Sequence, residues 1–221
     1  MQDYLILQLA GPMQFWGLPT FEGIRPCAPF PTRSGLLGLL GACLGIKRNQ
    51  SSLLQKLAGG TRFAVRCDDH LGFKPVMLTD FHTVKEAREQ HGGLNMHDTI
   101  ITQRDYLCDA SFSVAVWTTS AEREGYTLRQ LSEAVIRPVY TPYLGRRSCP
   151  LSKPLFRAVQ QAADPCAAFD LAAPGSGAVY SEEPLTGKER RLSVRDEPLI
   201  HLPRQFGRRN WYVIQGDKTC S

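Results

Sequence analysis

The strongest constraint on the fold is the run Leu36-Leu-Gly-Leu-Leu-Gly-Ala-Cys-Leu-Gly-Ile46, apolar throughout and studded with glycine. It is too short to span a bilayer, which takes about 20 such residues. Ser34 can cap a helix running from Gly35 to about Leu44, and Gly45 can close it with a positive φ. Gly38, Gly41 and Gly45 fall near one face, and each glycine inside a helix costs about 1 kcal/mol. Close packing of that face on a sheet is the gain this spacing predicts.

Strands for such a sheet are legible. Residues 4–9 alternate, with Leu5, Leu7 and Leu9 on one face. Residues 63–67 and 75–78 read as paired strands, and residues 111–117 as a strand with Phe112, Val114 and Val116 inward. Residues 52–57 suit a short helix, and residues 128–136 a second one with Leu128, Leu131 and Val135 on one face. Residues 178–180, 190–194, 198–200 and 211–214 are further strand-like pieces. This order predicts an α+β fold: an RRM-like (ferredoxin-like) core with an elaborated C-terminal β part. A single domain over 1–221 is expected, with the core in 1–140 and a glycine-rich loop plus C-terminal strands in 141–221.

Three stretches do not fit a plain core. Residues 10–32 are too long and too rich in Gly and Pro for an ordinary connection, yet carry Phe15, Trp16, Phe21 and Phe30. Loops of this length are usually functional or disordered, and the aromatics argue against disorder. Residues 82–104 are polar, with Gly92-Gly93 near the middle, and predict a protruding β-hairpin thumb at about 81–105. The third is Thr141-Pro-Tyr-Leu-Gly-Arg-Arg-Ser-Cys-Pro-Leu151. Pro142 and Pro150 stiffen it, and Gly145 lets another backbone come close. Arg146 and Arg147 set two planar cations beside Tyr143 and Ser148, a set suited to a phosphodiester with a base stacked on the ring. The alternative is a surface turn with two solvated arginines.

A net charge of +5 and a pI near 8.9 permit an anionic partner. Arginine outnumbers lysine 19 to 7, which suits bidentate and stacking contacts, although codon usage in a GC-rich genome gives the same ratio. The seven cysteines contain no C-x-x-C pair and fit a reducing compartment. Cys43 and Cys108 read as small buried hydrophobes. Asp3 interrupts the start of any signal peptide, so a cytoplasmic protein without membrane attachment is expected.

Catalytic and metal chemistry have little to stand on. Cys67-x-x-His70 and His91-x5-His97 lack zinc spacing, and no Walker A or G-x-G-x-x-G motif occurs. The doublets Asp68-Asp69, Glu182-Glu183 and Asp196-Glu197 read as solvated turns. No metal or cofactor is expected. A metal-free ribonuclease would need a histidine near its own pKa with a cation or phenol, as His82 with Lys85 and Tyr106. His82, His91 and His97 all lie in the polar stretch, where a solvated or RNA-contacting histidine is commoner. The RRM stacking signature is absent. Trp117 and Trp211 read as core, whereas Trp16, in the long loop, is the better base platform.

Several segments carry a resemblance: Gly11-Pro-Met-Gln14 with Trp16-Gly17, Thr20-Phe-Glu-Gly23 with Arg25-Pro26, and Phe30 through Ile46. It continues through His82-Thr-Val84, Tyr106 to Phe112, Tyr140 to Leu151, Arg195-Asp-Glu-Pro198, Leu202 to Phe206 and Trp211-Tyr-Val-Ile214. Over nearly its whole length the chain resembles the CasD family, small RAMP-superfamily subunits of the type I-E CRISPR surveillance complex Cascade. The resemblance implies a subunit that caps the 5′ handle of the CRISPR RNA (crRNA) and meets a CasC-type backbone subunit and the large PAM-recognising subunit. The RNA-binding residues it implies are Gln14, Trp16, Arg25, Arg33, Ser34, His82, Arg104, Tyr143, Gly145, Arg146, Arg147 and Ser148. It also implies no catalysis, because type I-E systems assign cleavage of the precursor to a separate subunit, CasE. Relatives in type I-C systems do cut, so a metal-independent endoribonuclease acting on CRISPR repeat RNA is the alternative. A scaffold touching only protein is a third class. The sequence departs from the family chiefly at residues 90–96 and from Gly216 onward.

Overall fold

The computed structural model describes residues 1–20, 23–69, 75–84, 99–119, 125–187, 189–201 and 204–214. The chain runs β1 (Gln2–Ala10), β2 (Met13–Gln14), β3 (Ile24–Arg25), α1 (Arg33–Cys43), α2 (Ser51–Gly60), β4 (Thr61–Cys67), β5 (Val76–Val84) and β6 (Ile100–Cys108). It continues as β7 (Ser111–Thr118), α3 (Leu128–Ile136), β8 (Phe156–Ala162), α4 (Pro165–Ala172), β9 (Val179–Ser181), β10 (Arg190–His201) and β11 (Arg204–Ile214).

A seven-stranded sheet in the order β10-β11-β9-β4-β7-β1-β8 forms the body. Within it β1, β4, β7 and β8 pair antiparallel, and with α1 and α3 they trace the β-α-β-β-α-β path of a ferredoxin-like unit. The fourth strand of that unit is β8, so the core does not end at residue 140 as the sequence division proposes. Alternation decides which face each residue serves. Leu5, Leu7, Leu9, Phe63, Val65, Phe112, Val114 and Val116 lie in one core cluster with Leu36, Leu40 and Cys43 of α1 and Leu131 and Val135 of α3. Tyr4, Ile6, Ala64, Ala115 and Trp117 form the other cluster with Cys166 and Phe169 of α4. Each fully buried Leu or Phe contributes about 1.5–3 kcal/mol. Because both faces are covered, β7 is buried from Ser111 through Trp117.

The second sheet holds β2, β6 and β3, with β5 paired to β6 along its length. This corrects the expected pairing of residues 63–67 with 75–78, since β4 lies between β7 and β9. The β5–β6 hairpin occupies the expected thumb position. Residues 85–98, with Lys85, His91 and His97, lie outside the described residues, as do Phe21 and His70.

Helix α1 begins two residues earlier than expected, and its cap is Thr32 rather than Ser34: the Thr32 hydroxyl accepts from the Gly35 N–H at 3.4 Å. A carboxylate oxygen of Asp196, from β10, accepts from the Arg33 N–H at 2.8 Å. At the far end Gly45, at φ +75°, donates to Ala42 and Ile46 donates to Gly41, the paired bonds of a Schellman closure. The glycine face does not pack on the sheet. Leu36, Leu37, Leu39, Leu40 and Cys43 do the packing, while a Cβ on Gly38 would have no atom within 4 Å.

Candidate nucleic-acid interface

The loop after α3 is folded on itself and pinned to Phe15, the residue after β2. Leu144 N–H donates to Cys149 at 2.8 Å, Cys149 N–H to Arg146 at 2.9 Å, and Phe15 N–H to Leu144 at 3.0 Å. Leu144 and Cys149 are buried, so the loop is anchored by its own apolar residues. Gly145 sits at φ +83°, and a Cβ there would overlap the Phe15 carbonyl. Only glycine fits this approach.

That approach places Arg146 on an aromatic ledge. Its guanidinium lies 3.8 Å from the Phe15 ring centroid and 5.5 Å from that of Tyr106. Both rings offer the electron-rich face that attracts a cation. Arg25 and Arg104 stand opposite each other in the parallel β3–β6 pairing and act electrostatically on Arg146. Burial lowers the Arg146 pKa below the usual arginine value, and the charges of Arg104 and Arg25 push the same way against Tyr106 and Cys149. Its buried Nε has no hydrogen-bond partner among the described residues. A partly desolvated guanidinium with no ion-pair partner among the described residues suits an anion.

A cleft of about 890 Å³ opens from this ledge along α1. Of the expected residues it gathers Arg25, Ser34, Tyr143, Gly145 and Arg146. Arg25, Lys47, Arg48, Arg146 and Arg195 line it, and among the described residues no carboxylate does. Arg104 lies beside the ledge rather than in the lining, and His82 lies next to Tyr106, with ring centroids 6.3 Å apart. The His82 Nε2 is 2.6 Å from an Asp80 carboxylate oxygen two residues back on the same strand. Arg147 and Ser148 are exposed on the outer side of the loop.

Three expected contact residues turn inward, which corrects the sequence reading. Gln14, Trp16 and Arg33 are only 0%, 1% and 3% exposed. Trp16 donates its Nε1–H to Gln14 at 3.0 Å, and Gln14 donates to the Ala110 carbonyl at 2.7 Å, so Trp16 is part of the core rather than a base platform. Their place is to pin the strand on which Phe15, the residue between them, faces Arg146. Arg33 meets Glu182 at 2.7 Å and Glu197 at 2.9 Å, while Arg209 meets Glu182 at 2.7 Å and Asp196 at 3.3 Å. The expected solvated turns at Glu182 and Asp196 are instead buried ion-pair partners, and Asp68 likewise pairs with Arg66 at 2.8 Å.

Arg195 is a cleft residue that sequence reasoning missed. Val194 pairs with Arg209 and Glu197 with Gly207, so two residues of β10 bulge against one of β11. The bulge sends Asp196 to the start of α1 and leaves Arg195 in the cleft, its Nε donating to the Phe206 carbonyl at 2.9 Å. Lys47 and Arg48 were also missed, though two adjacent cations just past a closing glycine were visible in the sequence. Among the described residues no group of three or more His, Cys, Asp or Glu is arranged to hold a metal, and no helix is long and apolar enough to cross a membrane.

The chain is similar to known proteins along its whole length. It is 56% identical over 225 aligned positions to the CRISPR system Cascade subunit CasD of Escherichia coli (strain K12), covering 100% of both chains. Among solved structures it matches a chain of a CRISPR RNA-guided surveillance complex at TM-score 0.75 and 29% identity, covering 96% of this chain and 90% of that one. It also matches a Cas protein crystal structure at TM-score 0.65 and 26% identity, covering 97% and 96%. The sequence pattern of the CRISPR-associated protein family (Cas_Cas5) matches residues 4–212. The chain therefore belongs to the CRISPR-associated Cas5 family.

Proposed function

We propose that the chain is the non-catalytic crRNA-gripping subunit of a type I-E Cascade, working in the cytoplasm and holding the 5′ handle in the cleft between the Arg146 ledge and α1. The observation that carries this is the cleft itself, lined among the described residues by Lys47, Arg48, Arg146 and Arg195 and by no carboxylate, with Arg146 already stacked on Phe15. Stacked arginine beside exposed backbone suits single-stranded RNA, which is held by phosphate contacts and planar stacking. The β5–β6 hairpin is the thumb, and a CasC-type backbone subunit and the large PAM-recognising subunit are the protein partners.

The test is Arg146→Ala. Loss of its phosphate contact in the cleft lowers the log–log salt slope by about 0.7 on a single strand and weakens handle binding. An unchanged slope and affinity would make the loop a structural turn.

The His82–Asp80 contact favours a second reading, a metal-independent endoribonuclease, because a carboxylate can orient an imidazole for proton transfer. Against it, Tyr106, the phenol that would assist, is only 2% exposed. Incubation with repeat RNA in EDTA separates the two. A cleavage product that vanishes on His82→Ala would replace the binding-only reading.

A further inference from the structure

We infer that the RNA track does not stop at the arginine loop but continues along α1 to the Lys47–Arg48 turn, so that one cleft grips two separated stretches of backbone. The inference rests on the reading of the cleft as an RNA site. Lys47 and Arg48 line the same cavity as Arg25 and Arg146, yet stand past the opposite end of α1. The 11 residues of α1 advance roughly 16 Å, at about 1.5 Å per helical residue. That is more than one nucleotide can cover. A single strand lying along the helix reaches both ends.

The far end is built, not loose. Gln50 accepts from the Lys47 N–H through its side chain at 2.8 Å and returns its own N–H to the Lys47 carbonyl at 3.0 Å. The last α1 carbonyls are already satisfied: Ile46 donates to Gly41, Val139 to Cys43 at 3.0 Å and Tyr140 to Ala42 at 3.2 Å. Lys47 and Arg48 are therefore not spent as caps for the helix. Both are exposed, and among the described residues neither head group has a hydrogen-bonded or ion-paired partner. Cations beyond a helix C-terminus also complement its dipole, which is the structural alternative the experiment must separate.

The floor between the two ends supplies an independent sign. Gly38 is exposed in the middle of α1 and lines the cleft. A Cβ there would meet nothing within 4 Å, so no contact inside the protein requires glycine. A backbone passing close over the helix does require it.

The experiment measures binding of fluorescein-labelled single-stranded RNA of increasing length to the full chain, with Arg146→Ala, Lys47→Ala/Arg48→Ala and Gly38→Gln compared at several salt concentrations. Arg146→Ala weakens binding at every length. Lys47→Ala/Arg48→Ala leaves the shortest oligonucleotides unaffected, weakens the longer ones about tenfold and removes about 1.4 from their salt slope. Gly38→Gln keeps or raises Tm, since glutamine is the better helix former, and weakens the longer ones at least about fivefold. If Lys47→Ala/Arg48→Ala changes no length while Arg146→Ala does, the extension is wrong and the cleft reading stands. If it weakens every length equally, there is one undivided site and the extension is again wrong. If Arg146→Ala itself changes nothing, the cleft reading falls and takes the inference with it.

Discussion

Arg33 and Arg146 each lay a guanidinium over a phenylalanine ring, Phe63 at 5.6 Å and Phe15 at 3.8 Å. Around Arg33 stand Glu182, Glu197 and Asp196, with Arg209 sharing all three. Burial works against the Arg33 charge, and those carboxylates outweigh it and raise its pKa above the ordinary value. Around Arg146 stand Arg25, Arg104 and Tyr106, and its pKa moves down. The same side chain on the same kind of ring is thus charge-saturated in one place and, among the described residues, without a carboxylate partner in the other. The saturated cluster sets three carboxylates against two arginines, which leaves no net positive charge for an outside anion, and it ties α1 to β10, β11 and the residue after β9. The other keeps its capacity for phosphate.

The largest effect belongs to the saturated cluster. Glu182→Ala removes the carboxylate that Arg33 and Arg209 share, leaving both buried guanidiniums with only Asp196 and Glu197, and should cost stability at the low end of about 3–5 kcal/mol, read by urea unfolding. A loss near ~1 kcal/mol, the range of an exposed pair, would erase the distinction between the two regions. Next comes Gly145→Ala. Holding a non-glycine residue at positive φ costs on the order of 1–3 kcal/mol, and the clash with Phe15 should lift Arg146 from its ring. RNA affinity should fall at least to that of Arg146→Ala, and an intact affinity would show that stacking on Phe15 is dispensable. The smallest effects sharpen the boundary at the start of α1. Thr32→Ala should cost about 1 kcal/mol of stability as a lost cap. Ser34→Ala, in the cleft, should change stability by less than about 0.5 kcal/mol while weakening RNA binding. The reverse pattern would return the cap to Ser34 and remove it from the interface.

Much of the frame was readable because its signals are local. The alternation of Leu5, Leu7 and Leu9, the apolar run after Ser34 and the spacing of Leu128, Leu131 and Val135 each specify an element by its own period. The loop from Thr141 to Leu151 was readable too, because prolines and a glycine act on their own backbone. Besides the two-residue strands β2 and β3 inside the long first loop, two elements escaped. β8 is an edge strand with residues alternating between exposed and half-buried, so little of it is apolar enough to stand out. α4 is only 8 residues long, although Asp164 before Pro165 is a cap signal that marks its start.

By itself the sequence determined most of the elements, the glycine closure of α1 and the presence of a stiff, arginine-bearing loop, since φ restrictions and hydrophobic period act over a few residues. Only the tertiary structure decided which arginines are spent and which are free to meet an anion. Arg33 meets Glu182 across 149 positions and Asp196 across 163, and no local pattern records such a meeting. The β10 bulge that splits Arg195 from Asp196 likewise depends on a register set by the partner strand. Charge compensation is a property of neighbours in space, and chain order does not list them.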